Sequence, residues 1–498
     1  VSLQLALDGA VTTRPWETRA DFVIVGSGPA GSAAARELSR AGLDVLVLEA
    51  GPLLPPEHPP DAWTAMSRAY VGMGATLTLA RQPIPYVQGR AVGGSSVING
   101  AISWRLPQDV HARWLRDDPG LAEHLPYEVL DHIAEELETR LGVAPTDPSI
   151  AGRNSVLMAA GAEALGLEHR PTRRNVIGCE GLARCMQGCP TGRKQSMDRS
   201  LLADAVASGA RIASGVQVER VIVSGGRAVG ILGRTVAGAP VRVHGRVMLA
   251  ASAIQTPLLL LRSGITGGPV GEHFRAHPGA SMIGRFPDPV RTWQGATQGH
   301  EVVGLREEGL KFESLGLDRG VLTSRLPGVG RDLARCVDQI DHYASWAVAV
   351  KAHAEGTVQN GWIGPSVRYG MHGDDLLTLR RGIAMLGRLM LAAGAEAVHP
   401  GVKGFDEEVR HPDRLDALEH HGPTDPRAFT AVITHMFGTC RMGSRGEDRV
   451  VDPTLRHREV ADLWVLDSSV FPTNTGVNPQ TSILTIATWA ARGIVRRG

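Results

Sequence analysis

"DFVIVGSGPAGSAAARELSRAGLDVLVLEAG", residues 21–51, decides the fold. Its two apolar runs, "FVIV" and "VLVL", are short and continuous, the pattern of parallel strands buried on both faces. Between them, "AAARELSRAG" combines strong helix formers with a glycine stop. Gly26, Gly28 and Gly31 form G-x-G-x-x-G after the first strand and at the mouth of the helix. There the first glycine permits a tight turn, the second lets a pyrophosphate approach the backbone, and the third lets helix and strand pack closely. The helix start turns unsatisfied N–H groups toward the phosphates. Glu49 closes the second strand about 20 residues after the glycines, where a carboxylate binds a ribose 2′-hydroxyl and repels a 2′-phosphate. The stretch reads as a dinucleotide-binding βαβ unit, with FAD and NAD both open.

Working outward, "RIASGVQVERVIVSGGRAVGILG" (211–233) and "RVMLAA" (246–251) read as a meander returning to the same sheet. "DLWVLDSSVFP" (462–472) reads as a late strand. "TSILTIATWAARGIVRR" (481–497) reads as a closing helix with a basic end. Nucleotide-binding pieces therefore occur at the beginning, middle and end of the chain. The stretches between them carry helical runs at 129–141 and 379–398 and an alternating, strand-like segment at 343–353, enough for a second domain.

A length of 498 residues fits two or three units of roughly 150 residues. The formal charge of +1 gives no electrostatic case for nucleic acid or an anionic membrane. No window approaches the roughly 20 apolar residues of a membrane span. The first residues have no basic region leading into an apolar core, so no signal peptide is expected. Five cysteines are too few and too unevenly placed for a disulfide framework. A cytoplasmic enzyme is the expectation.

Three further stretches carry a family resemblance. "GRAVGGSSVINGAISWR" (89–105) resembles the first signature of the glucose–methanol–choline (GMC) oxidoreductases. "SAIQTPLLLLRSGI" (252–265) is similar to the second, with Thr266 where that pattern usually ends in glycine. "HMFGTCRMG…VVDP…LWVLDSSVFPTNTGVNPQTSILTIA", from His435, resembles the last block, and all three follow the family's order. The resemblance implies an α/β chain in which a Rossmann-like FAD-binding domain is interleaved with an α+β substrate-binding domain built on an antiparallel sheet. Residues 1–104, 201–274 and 431–498 are expected in the first, the last also carrying the catalytic block. Residues 105–200 and 275–430 are expected in the second.

It also implies FAD as cofactor, with Glu49 on the adenosine ribose and Arg90, Gly93, Gly94 and Asn99 along the pyrophosphate and flavin. The Val218 backbone should contact the adenine, and Asp467 and Asn478 should lie near the ribityl chain and pyrimidine ring. Some relatives attach the flavin covalently through a histidine at the position of Ile98. Isoleucine has no nucleophile, so non-covalent FAD is expected. The residues of 89–99 agree, since paired glycines followed by two serines form a loop whose backbone donors can face phosphate oxygens.

Oxidising an alcohol removes a hydroxyl proton and a hydride, and the proton needs a base that is neutral near pH 7. Histidine, with a reference pKa of about 6.5, suits that task. His435 aligns with the family's catalytic histidine, and Asn478 stands at its partner position, like the His/Asn arrangement of cholesterol oxidases. An asparagine amide can hold the substrate oxygen without charge. Cys440 and His277 are expected to be structural. Trp346 and Trp362 are expected to line the pocket or pack in the core.

Cys179, Cys185 and Cys189, in "CEGLARCMQGCPTGRKQS" (179–196), are spaced C-x5-C-x3-C-P. The closing part is like the end of a bacterial ferredoxin run. Iron–sulfur ligation, a loop with free thiols and a disulfide are all open. The expected activity is FAD-dependent oxidation of a small-molecule alcohol to a carbonyl, with hydride transfer to flavin N5 and electrons passed to oxygen or another acceptor. The alternatives are a non-redox lyase of the hydroxynitrile lyase type and an iron–sulfur GMC dehydrogenase acting on a sugar or polyol.

Overall fold

The computed structural model describes residues 3–55 and 61–497. Strand Trp16–Val25 lies parallel to strand Val45–Leu48, with Phe22 opposite Val45 and Val25 opposite Leu48. The side chains of both apolar runs are buried, as continuous apolar patterning requires of a sheet covered on two faces. The parallel order extends through Arg211–Ser214 to Leu7–Asp8 on one side. On the other side it reaches Pro240–Leu249 and then Leu463–Val465.

Strand Pro240–Leu249 has a second pairing. Its first half runs antiparallel to Arg227–Thr235, which pairs in turn with Val216–Ser224. The expected meander is therefore shorter than 211–233. Arg211–Ser214 belongs to the parallel sheet, the chain turns at Gly215, and only then does the hairpin begin. Helix Pro29–Arg40 packs against the closing helix Gln480–Arg497, which also meets helix Tyr127–Arg140. Arg492 ties the three together, pairing with Glu37 at 2.9 Å and Glu136 at 2.6 Å.

The second sheet is antiparallel throughout. Strand Arg275–Arg285 is its spine, with Tyr343–Val350 along one edge. Its other edge carries Ala397–His399 at one end and Val432–Phe437 at the other. Beyond Tyr343–Val350 come Leu310–Ser314, His300–Val302 and His169–Pro171. Helix Asp374–Ala392 lies on this sheet. It ends before the predicted 398 because the chain caps itself, the Ala395 N–H bonding back to Met390 O at 3.0 Å, and residues 397–399 then extend as a strand. The strand that carries His435 thus pairs with the antiparallel sheet and not with the nucleotide-binding one. Among the described residues, no helix is long and apolar enough to cross a membrane.

Each sheet has its own hydrophobic core. Trp346 is wholly buried in the second core, its Nε1–H directed to Asn154 O and Oδ1, both at 3.1 Å. Trp362 neither lines a pocket nor packs, being fully exposed between strands Thr357–Asn360 and Pro365–Arg368. Truncating Trp346 to Ala should cost about 3–5 kcal/mol, the range for large aromatic deletions, whereas Trp362→Ala should leave the unfolding midpoint in place. Chemical denaturation of both variants checks the contrast.

Candidate active site

The three glycines of the first loop have separate reasons for being glycine. A Cβ on Gly26, whose φ is +103°, would lie 2.3 Å from Ala250 O, and one on Gly31 would lie 1.9 Å from Gly26 O. At Gly28 a Cβ would meet nothing nearer than Gly94 Cα at 3.9 Å, so the backbone there is open to an incoming group. Helix Pro29–Arg40 begins with a proline and no side-chain cap, leaving its first N–H groups for a ligand.

Glu49 knits this loop to the next. Its carboxylate accepts from Ser27 N at 3.0 Å, Ser27 Oγ at 2.6 Å and Gly51 N at 2.8 Å. Ser27 Oγ in turn accepts from Gly93 N at 2.9 Å. Burial pushes the Glu49 carboxyl up, against these hydrogen bonds and the charge of Arg90. Gly93 and Gly94 both have positive φ, and Gly94 comes so close that a Cβ would stand 2.7 Å from Gly28 Cα. Val216 N–H donates to Glu49 O at 2.8 Å, which brings up to Glu49 the strand that carries buried Val218, itself next to an irregularity in its ladder.

Gly26, Gly28, Gly31, Glu49, Gly93 and Gly94 are therefore gathered at one place, with Arg90 exposed at its edge. Asn99 and Asp467, like Glu49, turn their polar atoms to the protein. Asn99 donates to Gln480 Oε1 at 2.6 Å and accepts from Ala101 N at 3.1 Å, pinning the start of the closing helix. Asp467 accepts from Ser252 N, Thr256 Oγ1 and Ser469 N at 2.6–3.0 Å. Burial raises its carboxyl. Ile98 is buried among Ala69, Ala91 and Val97.

His435 stands opposite His277 across the antiparallel ladder, with the two Nδ1 atoms 3.2 Å apart. Burial, and then the Lys311 ammonium, push the pKa of His435 down to about 3. Burial and the neighbouring His435 hold His277 well below the imidazole range. Gly476 N–H donates to His277 Nε2 at 2.9 Å, so neutral His277 keeps its proton on Nδ1, facing His435. His277 thus links His435 to the turn just before Asn478.

Lys311, Glu301 and Glu313 form a buried charge cluster that sequence reasoning missed. Lys311 Nζ lies 2.8 Å from Glu301 Oε2 and 2.5 Å from Glu313 Oε1, and donates to Asn478 Oδ1 at 2.9 Å. Arg170 Nε pairs with Glu301 Oε1 at 2.8 Å, and Trp104 Nε1–H donates to Glu301 Oε2 at 2.9 Å. Burial alone would neutralise these groups, but mutual attraction outweighs it, raising Lys311 and lowering Glu301. The signal was the one-face pair Lys311 and Glu313 in "LKFES", which gains meaning only once Glu301 is seen opposite Glu313.

The GMC oxidoreductase family profile matches residues 21–279 in its N-terminal part and 353–487 in its C-terminal part. This chain belongs to the GMC oxidoreductase family. It is 37% identical over 481 residues to an uncharacterised GMC-type oxidoreductase of Mycobacterium tuberculosis, covering 95% of this chain and 75% of that one. It is 28% identical to a long-chain-alcohol oxidase of Arabidopsis thaliana, covering 95% and 67% respectively. The fold resembles that of pyridoxine 4-oxidase from Mesorbium loti, at a TM-score of 0.72, 19% identity and coverage of 95% and 99%. It resembles formate oxidase of Aspergillus oryzae equally, at 0.72, 16% identity and coverage of 98% and 99%.

This GMC oxidoreductase is an FAD-dependent enzyme, and its residues fit the cofactor. The open backbone at Gly28, the uncapped helix behind it and the Gly93–Gly94 loop form a cradle that a side chain at those positions would fill.

Of the alternatives open for the cysteine loop, one loses support. All three thiols are free, and among the described residues no group of three ligands could hold a metal, so an iron–sulfur cluster is not supported. A guanidinium lies against two of the three thiols. Arg174 Nη2 lies 3.3 Å from Cys185 Sγ and 4.0 Å from Cys179 Sγ, while Lys194 N–H donates to Cys189 Sγ at 3.3 Å. Although burial pushes the Cys185 thiol up, Arg174 and Lys194 outweigh it and hold the thiol below its usual range. Lys194 Nζ also bonds Val97 O at 2.6 Å and Asn99 O at 3.0 Å, so the loop buttresses residues 89–99. Cys440 packs in the core with its thiol pushed well up by burial.

The His435 shift has a definite sign. Unfolded, the ring protonates near pH 6.5; folded, only near 3. Between those values the unfolded state binds more protons, so this stabilisation is complete above pH 6.5 and is lost progressively toward pH 3. His435→Gln should therefore show a shallower fall of unfolding midpoint than the parent between pH 6.5 and 4, read by thermal melts across that range.

Proposed function

We propose that this enzyme oxidises an alcohol to a carbonyl, with His435 taking the hydroxyl proton and Asn478 holding the hydroxyl oxygen. FAD, when bound, supplies the hydride acceptor at N5. The observation that carries the reading is the neutral imidazole of His435, kept uncharged by burial and by the same Lys311 ammonium that donates to the Asn478 amide. A neutral ring has one unprotonated nitrogen throughout the physiological range, and taking the proton at Nε2 requires the His277–His435 contact to open so that the ring's own proton sits on Nδ1. Oxygen or another acceptor would take the electrons. The similarity to a long-chain-alcohol oxidase supports an apolar alcohol as substrate. Ile98, which offers no nucleophile, supports dissociable FAD.

His435→Ala should retain FAD but slow anaerobic flavin reduction by alcohol at least about a hundredfold, within the 10²–10⁴ range of general base catalysis. An unchanged reduction rate would remove His435 from the mechanism. A lyase would leave its flavin oxidised with every alcohol tried. Acid precipitation should release FAD into the supernatant, whereas yellow colour retained in the pellet would mean a covalent link.

A second reading has one observation in its favour. Because His277 Nδ1–H donates to His435 Nδ1, the neutral ring as it stands carries its own proton on Nε2. The ring then meets the substrate as a donor that stabilises the developing alkoxide. His435→Gln separates the two, since a glutamine amide can donate but cannot act as a base. Reduction as slow as in His435→Ala supports the base, and recovery of about tenfold or more supports the donor.

A further inference from the structure

We propose that Lys311 is a positioning residue that fixes which end of the Asn478 amide faces the substrate. This rests on the reading of Asn478 as the group that holds the substrate oxygen. An ammonium has three N–H donors and no acceptor. All three find acceptors here: Glu301 Oε2, Glu313 Oε1 and Asn478 Oδ1. Because Lys311 can only donate, the amide end beside it must be the oxygen. The Nδ2 group is thereby turned the other way, and it has no hydrogen-bond partner among the described residues. Asn478 itself is only partly buried.

The cluster that holds Lys311 is closed on every side. Glu301 Oε1 is taken by Arg170 and its Oε2 by Trp104 and Lys311. Glu313 Oε2 accepts from Gln298 Nε2 at 2.5 Å. Two carboxylates face two cations, so the ammonium stays charged and has no donor left for a ligand. Lys311 acts on the reaction through the asparagine, presenting an N–H that can donate to a hydroxyl oxygen as negative charge gathers there.

The test is a double-mutant cycle on FAD-loaded protein. Lys311→Met is combined with Glu313→Gln so that the buried charge stays balanced, and the pair is crossed with Asn478→Ala. The reading is the rate of anaerobic flavin reduction by an alcohol. Each arm alone should slow reduction by about ten- to a hundredfold, the scale of a misplaced contact. The combination should be within about threefold of the slower arm, because both remove one donor. Slowing factors that multiply, or a Lys311→Met/Glu313→Gln protein that reduces normally, would overturn the proposal. If Asn478→Ala alone reduces normally, the underlying reading of Asn478 fails and this proposal with it.

Asn478→Asp provides an arm that survives even if the Lys311 variant does not fold. Its carboxylate still accepts from Lys311 but has no N–H for substrate. It should melt within about 5 °C of the parent and reduce as slowly as Asn478→Ala. A larger fall in melting temperature would mean that no cation stands at that oxygen, and normal reduction would mean that Nδ2 is not used. Either result would overturn the assignment.

Discussion

The run of backbone from His435 to Met442 is the constraint on which the rest of the molecule depends. At its start, His435, Met436 and Phe437 pair with His277, Ala276 and Arg275 in the antiparallel sheet. Immediately afterwards Gly438, Cys440 and Met442 donate to Ser468 O, Ser469 O and Val470 O at 2.8–3.2 Å, on the segment that follows the last strand of the parallel sheet. Eight residues are thus laddered to both halves with no loop between. The crossing needs Gly438, whose φ is +89° and where a Cβ would lie 2.3 Å from His273 O. Thr439 Oγ1 adds a bond to Ala253 O at 2.7 Å. An imidazole carried on such a segment cannot shift relative to the nucleotide cradle without breaking a ladder, which is the rigidity that the proposed proton transfer over hydrogen-bond distances demands.

The parts legible in the sequence are those in which residue type decides geometry locally. Continuous apolar runs can only be buried from both sides, and glycines at 26 and 31 stand where any side chain would strike a carbonyl oxygen. The antiparallel sheet was harder to read because its members are made strands by distant partners. "HRP" at 169–171 has no strand signature, and it is extended because His300–Val302 lies beside it. The cysteine spacing records separation along the chain and is silent about the guanidinium of Arg174 lying against Cys179 and Cys185. Trp346 and Trp362 are the same residue in similar company, yet one fills a core and the other stands at the tip of a hairpin. Lys311 carries no signal of its own in so short a run, and only the register of three strands makes it the centre of a buried cluster.

That cluster is hard to explain by stability. Buried ion pairs recover little beyond their desolvation cost, and apolar replacements of similar volume are often neutral or better. What an apolar core cannot do is tell the two ends of an amide apart. A serine or threonine hydroxyl could not either, since it donates to the oxygen as readily as it accepts from the nitrogen. A donor-only group is required. Arginine would meet that condition, but its planar fork is suited to holding carboxylates two bonds at a time, whereas the compact ammonium reaches three separate acceptors. Keeping an ammonium charged in a dry site needs carboxylates close by, which Glu301 and Glu313 supply, and a second carboxylate needs a second cation, which Arg170 supplies. The four charges follow from one another once a single amide has to face one way.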